Sequence, residues 1–376
     1  MSLASSVTDI WKRFQGELFP GLVEEVGELH TNHRRLVAVL DMVGVEGFVG
    51  ARSGGSGRPA EDRAALARAF IAKAVWDFPT TRDLMDRVAC DPVLRRLCGW
   101  SRVGGIPSEA TFSRAFGEFA RSRLPQRMHE AVVKAAFEET IVGHISRDST
   151  AIASREKSEA KVKDETAKRK RGRPRRGEEA KRPSRLQRQL RMDRDTMLDD
   201  LPTAPTVGSK KNAKGFVETW RGYKLHVDAA DPGIPISCLL TSASLHDSQA
   251  AIPLATLSAE RVTYLYELMD AAYDSEEIGW HSYLSGHVPI IDVNTRRNKE
   301  WKKELAREAC ARHCAGYSDP RKVRYNERST VERVNSRIKD SYGGRHVRVR
   351  GHEKVFCHLM FGVLALTIDQ LMRLTL

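Results

Sequence analysis

Tyr325, Arg328, Glu332 and Lys339 place an aromatic hydroxyl, two cations and a carboxylate three, four and seven residues apart in the run YNERSTVERVNSRIK. At about 100° per residue, one continuous helix would gather these four within roughly 60° and turn Val331, Val334 and Ile338 about 100° away. One face then seats the helix on a core while its neighbour presents chemistry. A carboxylate flanked by Arg and Lys suits a site that holds a divalent cation and grips a phosphate backbone. An ordinary solvated helix laced with salt bridges would show the same spacing, so the stripe alone leaves both readings open.

The elements that could supply partner carboxylates lie upstream. His144 to Ile152 begins like a strand and ends in polar residues, Trp220 to Asp228 and Pro235 to Ser242 read as two more strands around a turn at Asp231 to Gly233, and an antiparallel meander follows. Ala250 to Ala259 suits a helix, Tyr264 to Asp270 a strand, Ser275 to Leu284 a helix and Val288 to Val293 a last strand. This order predicts an α/β architecture with a mixed sheet. Asp148 falls near the end of the first strand and Asp270 at the end of the fourth, the edge where such sheets form sites. If those strands are neighbours, the two carboxylates can share ions and Glu332 can approach from a packed helix. Three acidic groups without a histidine pattern indicate hard cations, Mg²⁺ or Mn²⁺, and two such ions would serve phosphodiester cleavage and strand transfer. His226 and His246 are also close in sequence to these strands, with core or surface hydrogen bonding explaining them as well.

The chain has 376 residues and a net charge of +13, which points to a polyanionic partner. Between Arg155 and Arg194 there are 17 Lys plus Arg against 7 Asp plus Glu, so the excess is a local basic device. Residues 155 to about 213 are poor in apolar side chains and are expected to be a disordered insert. Within it, Lys168 to Gly177 reads KRKRGRPRRG; its Arg171-Gly172-Arg173-Pro174 core resembles the AT-hook, which lays two arginines into the minor groove of A·T-rich DNA. A tract holding phosphates without sequence preference is the alternative, and both predict DNA contact through Arg171 and Arg173.

Residues 1 to about 137 carry helical periodicity, with Leu66, Phe70, Ile71 and Val75 before Pro79, then Leu84, Val88 and Leu94 to Leu97 up to Gly99, then Ser108 as N-cap of a helix bearing Phe112, Phe116 and Phe119. Helix, glycine-containing connection, helix fits a helix-turn-helix reader and equally a small bundle. Six scattered cysteines and no amino-terminal signal pattern suggest a reduced cytoplasmic protein. Cys310, His313 and Cys314 lack the second ligand pair of a zinc site. Val355 to Ile368 is short and interrupted by His358 and Gly362, favouring a buried helix over a membrane span.

The string Tyr325-x2-Arg328-x3-Glu332-x6-Lys339 resembles, at every fixed position, the signature of DDE transposases of the bacterial insertion-sequence superfamily that includes families four and five. RDST around Asp148, GYKLHVD with SLHDSQ (Ser244 to Gln249), and MDAAYDS around Asp270 resemble the same family in the same order. PTTRDLMDRV and IPSEATFSRAF are similar to the helical domain that precedes its catalytic domain. The resemblance implies a ribonuclease-H-like catalytic domain over residues 138–340, an end-binding helical domain over 1–137 and a carboxy-terminal helix in 341–376 packing on the catalytic domain. It also implies a cut-and-paste DNA transposase with Asp148, Asp270 and Glu332 as the triad holding two ions. Tyr325, Arg328 and Lys339 would position the transposon end of double-stranded DNA, two protomers would pair the ends, and the protein would act at the nucleoid of a bacterium. A silent, transposase-derived DNA-binding protein is the alternative; a repair or recombination nuclease would share the acids but not the Tyr, Arg and Lys pattern. One departure is Ala272, where the family commonly has Gly, which leaves Asp274 as a rival to Asp270. The short segment before the Glu332 helix favours the family-five organisation.

Overall fold

Helix-forming segments with strong stop signals build the front of the molecule. The computed structural model describes residues 29–50, 61–159, 183–211, 215–295 and 298–374. Among the described residues six helices come first: α1 (Thr31–Val43), α2 (Arg63–Val75), α3 (Thr81–Cys90), α4 (Pro92–Cys98), α5 (Glu109–Arg121) and α6 (Leu124–Phe137). Asp62 caps α2, Thr80 and Asp83 form a reciprocal capping box on α3, and Asp91 caps α4, so short side chains satisfy amide donors that helix starts leave open. The aromatic face of α5 is buried as expected, and Phe112, Phe116 and Phe119 all meet Phe70 of α2.

The remaining elements are β1 (Val142–Ala153), α7 (Arg185–Gln189), α8 (Arg194–Asp199), β2 (Thr206–Lys211), β3 (Val217–Ala230), β4 (Ile234–Ser242), α9 (Ala251–Ala259), β5 (Tyr264–Met269), α10 (Glu276–Leu284), β6 (Val288–Ile291), α11 (Lys299–Cys314), α12 (Pro320–Asn326), α13 (Ser329–Ser341) and α14 (His352–Arg373). β3 runs antiparallel to β1 and β4, and β1, β5 and β6 run parallel in that order. An antiparallel meander continued by two parallel strands, with helices on its faces, is the ribonuclease-H-like arrangement. Gly222 lets β1 and β3 close up, because a Cβ there would strike Ile152 O and the Ser154 amide.

α14 is long and apolar enough to cross a membrane, yet it is a core helix. Its residues from Val355 to Leu371 pack on α6, α2, α5 and β4, so the helical front and the sheet share one continuous hydrophobic core. The carboxy-terminal helix therefore packs on both the helical front and the sheet, and not on the sheet half alone. Gly362 sits against the Tyr342 carbonyl, where any side chain would collide.

Two further expectations differ from the structure at this level. Residues 183–211 carry α7, α8 and β2 instead of disorder. Met197 packs among Ile252, Met269, Tyr273 and Ile278, Leu201 packs with Leu239 and Leu254, and β2 pairs with β3. A few well-spaced apolar residues suffice once a finished sheet offers them a surface. Arg171 and Arg173 of the AT-hook-like core lie outside the described residues. The second difference is the stripe: Tyr325 ends on α12 and Glu332 begins α13, with tight i to i+3 bonds from Arg328 N to Tyr325 O and Val331 N to Arg328 O between them. The Glu327 carbonyl likewise accepts an i to i+3 bond from Thr330 N at 2.9 Å, and Ser146 Oγ of β1 donates to the same oxygen at 3.5 Å.

Candidate active site

Strand pairing decides where the two aspartates stand. Arg147 of β1 is in register with Met269 of parallel β5, which sets Asp148 beside Asp270 on neighbouring strands about 4.8 Å apart. β1 continues to Ala153, so Asp148 lies at the end of its pairing with β5 and not near the end of the strand. Burial first, and then the Asp270 charge, push the Asp148 carboxyl up to about 6 against the Ser149 amide, Arg328 and Lys210, which favour ionisation. Two carboxylates thus share one edge.

Asp270 caps a 3₁₀ turn, Ala271–Tyr273, its Oδ1 accepting from Ala272 N at 2.9 Å. Ala272 has a negative φ, so the turn needs no glycine at this position. Asp274 is exposed and its Oδ2 accepts from the Asn294 amide at 2.9 Å, which engages the rival carboxylate in holding a loop.

α13 crosses the same edge, seated by Val331, Val334 and Ile338. Asn335, one turn beyond Glu332, donates from Nδ2 to Asp148 Oδ2 at 3.2 Å. Its Oδ1 is buried and has no hydrogen-bond partner. A free oxygen beside a carboxylate is unexpected in a sealed core and fits a cation site. Glu332 does not yet join the aspartates: it is exposed and forms an ion pair with Arg328. Among the described residues no three His, Cys, Asp or Glu side chains stand together closely enough to hold a metal ion.

Arg328 is the pivot of this arrangement. Burial would lower its pKa, but Tyr325, Glu332 and Asp148 together hold it above the usual guanidinium value. Its guanidinium lies 5.9 Å from the Tyr325 ring centre. Lys339, half-buried, is pushed down by burial and by the charges of Lys210 and Arg345. Lys210 of β2 acts on both Asp148 and Lys339. Asn335 and Lys210 escaped the sequence reading. Asn335 carried a usable signal, sitting three residues after Glu332 on the same helix face, whereas Lys210 was hidden in a segment read as insert.

Beneath Asp148 lies a fully buried ionic knot. Arg147 makes two 2.8 Å bonds to Asp228 and reaches Glu267 at 3.3 Å. Ser258 donates to Asp228 at 2.7 Å, and Tyr264 (2.7 Å) and Ser282 donate to Glu267. Asp228 and Glu267 are 0% and 1% exposed, so this knot fixes β1, β3 and β5 from inside. His226 is likewise structural: burial lowers it to about 4 and its Nε2 bonds Thr241 Oγ1 at 2.9 Å.

A ribonuclease-H-like sheet with two adjoining aspartates and an acid-bearing helix at its edge defines the fold class of polynucleotide-processing nucleases and transferases. The family described as "Transposase DDE domain" matches residues 148–368, more than half of the chain, and a second described as "Transposase domain (DUF772)" matches residues 24–118. The chain belongs to the DDE transposase family. It is similar to proteins named "Probable transposase for insertion sequence element ISH11" in two strains of Halobacterium salinarum, at 26% identity over 145 residues, covering 36% of this chain and 43% of each relative. The matched stretch thus spans less than half of those relatives. No solved structure matches.

Proposed function

We propose that the chain is the transposase of an insertion sequence, cutting phosphodiester bonds at the ends of the element and joining the freed 3′ hydroxyls to target DNA in cut-and-paste transposition. The observation that carries this reading is the register that sets Asp148 beside Asp270, with Glu332 and Asn335 on the helix crossing them. Asp148, Asp270 and Glu332 are oxygen donors of the kind Mg²⁺ or Mn²⁺ prefers, and the open Asn335 Oδ1 adds a neutral one. A pair of such ions, when bound, would lower the pKa of the attacking water or hydroxyl and neutralise the leaving oxygen.

The protein's own groups do the rest. Arg328, Lys339 and Lys210 line the approach with positive charge, and Tyr325 adds a hydroxyl. A DNA phosphate drawn to Arg328 competes with Glu332 for the same guanidinium, freeing Glu332 to swing toward the aspartates. DNA entry thereby completes the acidic set. Joining two ends at once calls for two protomers on the DNA, at the bacterial nucleoid.

Purified protein with Mg²⁺ and duplexes carrying the DNA that flanks its own gene should produce a nick exposing a 3′ hydroxyl at a fixed position. Uncut duplexes from both flanks, with Mg²⁺ and with Mn²⁺, would overturn the proposal. Protons should also compete with the cation. Below about pH 6, Mn²⁺ affinity should fall by about tenfold per pH unit as Asp148 takes up its proton, read by calorimetric titration. Asn335→Leu removes a donor that favours the carboxylate and should shift this midpoint upward. A wild-type midpoint near pH 4 would exclude Asp148 as the competing ligand.

A further inference from the structure

A cavity of about 440 Å³ lies where the helical front meets the chain leading into α14. Its walls bring together Lys73, Arg155, Arg348, Arg350 and Lys354, and a single carboxylate, Glu109. Glu109 is already engaged by Arg82 at 3.0 Å. The five cations therefore face one another with almost no internal compensation, and none forms an ion pair with a described carboxylate.

Lys73 is the telling member. It rises from the last turn of α2, is 8% exposed, and its ammonium makes no hydrogen bond or ion pair with any described residue. A buried lysine without a partner costs stability unless something arrives to pair with it. Burial pulls this ammonium down to about 8, with Asp77 and Asp83 acting the other way from a distance. Phe70 and Phe116 line the same cavity and stack on Phe361, so its floor is rigid and its mouth is cationic. Arginines supply flat forks that match phosphate oxygens.

The strand β1 connects this cavity to the candidate active site. Asp148 stands on it, Ala153 ends it, and Arg155 follows two residues later. Five strand residues span roughly 17 Å, about the rise of five base pairs of duplex. A duplex with one phosphate at Asp148 and Asp270 can lay its next turn along β1 toward the helical front.

We propose that this cavity is a second DNA-backbone site, taking a phosphate several base pairs from the scissile one, with Lys73 as its buried ligand. It rests on the reading that the Asp148 edge acts on DNA. Its role is to fix the direction in which the duplex leaves the active site, which the cations around Arg328 alone leave free.

The test uses the full chain in metal-free buffer with a fluorescein-labelled 30-base-pair duplex from the DNA flanking the gene, titrated over a range of salt. Lys73→Met and Arg350→Gln should each lower the slope of log affinity against log salt by about one. Slopes equal to wild type in both variants, with melting temperatures retained, would overturn the proposal. Should Lys73→Met not fold, Arg350→Gln and Arg348→Gln, both exposed, decide it on the same criterion. Inorganic phosphate and AMP distinguish a free anion: if either raises the melting temperature of wild type but not of Lys73→Met while the duplex slope is unchanged, the DNA assignment falls. A lowered slope in a protein that cuts no DNA would uphold this site and refute the catalytic reading, and normal cutting with an unchanged slope would do the reverse.

Discussion

Asp148→Asn is expected to silence strand cleavage and, at the same time, to make the metal-free protein more stable at pH 8. The activity loss should reach at least about 10³-fold, beyond the 10–100-fold typical of residues that only orient a ligand. DNA binding should persist, since the basic groups are untouched. The stability gain follows from the Asp148 carboxyl being held at about 6 instead of its ordinary 3.8. A carboxylate raised by folding keeps its proton longer in the native state, so stability falls as pH climbs through that window and stays lost above it. At about 1.4 kcal/mol per pH unit, the ionised group costs up to roughly 3 kcal/mol at pH 8 and nothing below pH 4. Asparagine carries no such charge. Thermal melts in chelator should show the variant ahead by roughly 2–6 °C at pH 8 and level with wild type at pH 4. Glu332→Gln should also abolish cleavage without the gain, because Glu332 is exposed and already paired. A variant that cuts DNA, or one with no advantage at pH 8, would remove Asp148 from the proposed centre.

Arg147→Met should be the most destabilising single change near the site. It would strand Asp228 and Glu267, both fully buried, with only hydroxyl donors between them. Breaking one partner of such a buried set typically costs about 3–5 kcal/mol. Arg147→Lys keeps the charge but cannot bond both oxygens of Asp228, so its loss should be smaller but real. Urea denaturation would read both. Neutralising the acids together, in Arg147→Met with Asp228→Asn and Glu267→Gln, should recover much of the deficit. If Arg147→Met unfolds at the wild-type urea midpoint, the knot does not tie the strands as the geometry indicates.

The residue types at the site were legible in the chain, and so were most elements carrying them. Acid, cation and tyrosine spacing singled out Tyr325, Arg328, Glu332 and Lys339 as candidates, and strand patterns located β1, β3, β4, β5 and β6 to within a few residues. These are local properties, set by side-chain periodicity along one element. The break between α12 and α13 was not legible: the side-chain spacing is the same for a continuous helix, while the i to i+3 bonds across Tyr325–Val331 and the contact of Ser146 of β1 with the Glu327 carbonyl belong to the folded chain. Nor could composition reveal that residues 183–211 dock, since Met197 and Leu201 are stabilised by a surface made elsewhere.

The sequence by itself determined which groups could do chemistry and on which face of each element they stand. Only the tertiary structure decided which of them meet. The Arg147 to Met269 register makes neighbours of Asp148 and Asp270, Asn335 is brought onto Asp148 by α13, and Lys73 is shut into a cationic cavity by packing from three parts of the chain. Pairing between residues more than a hundred positions apart is chosen by the closure of the whole core, so no local pattern along the chain can announce it.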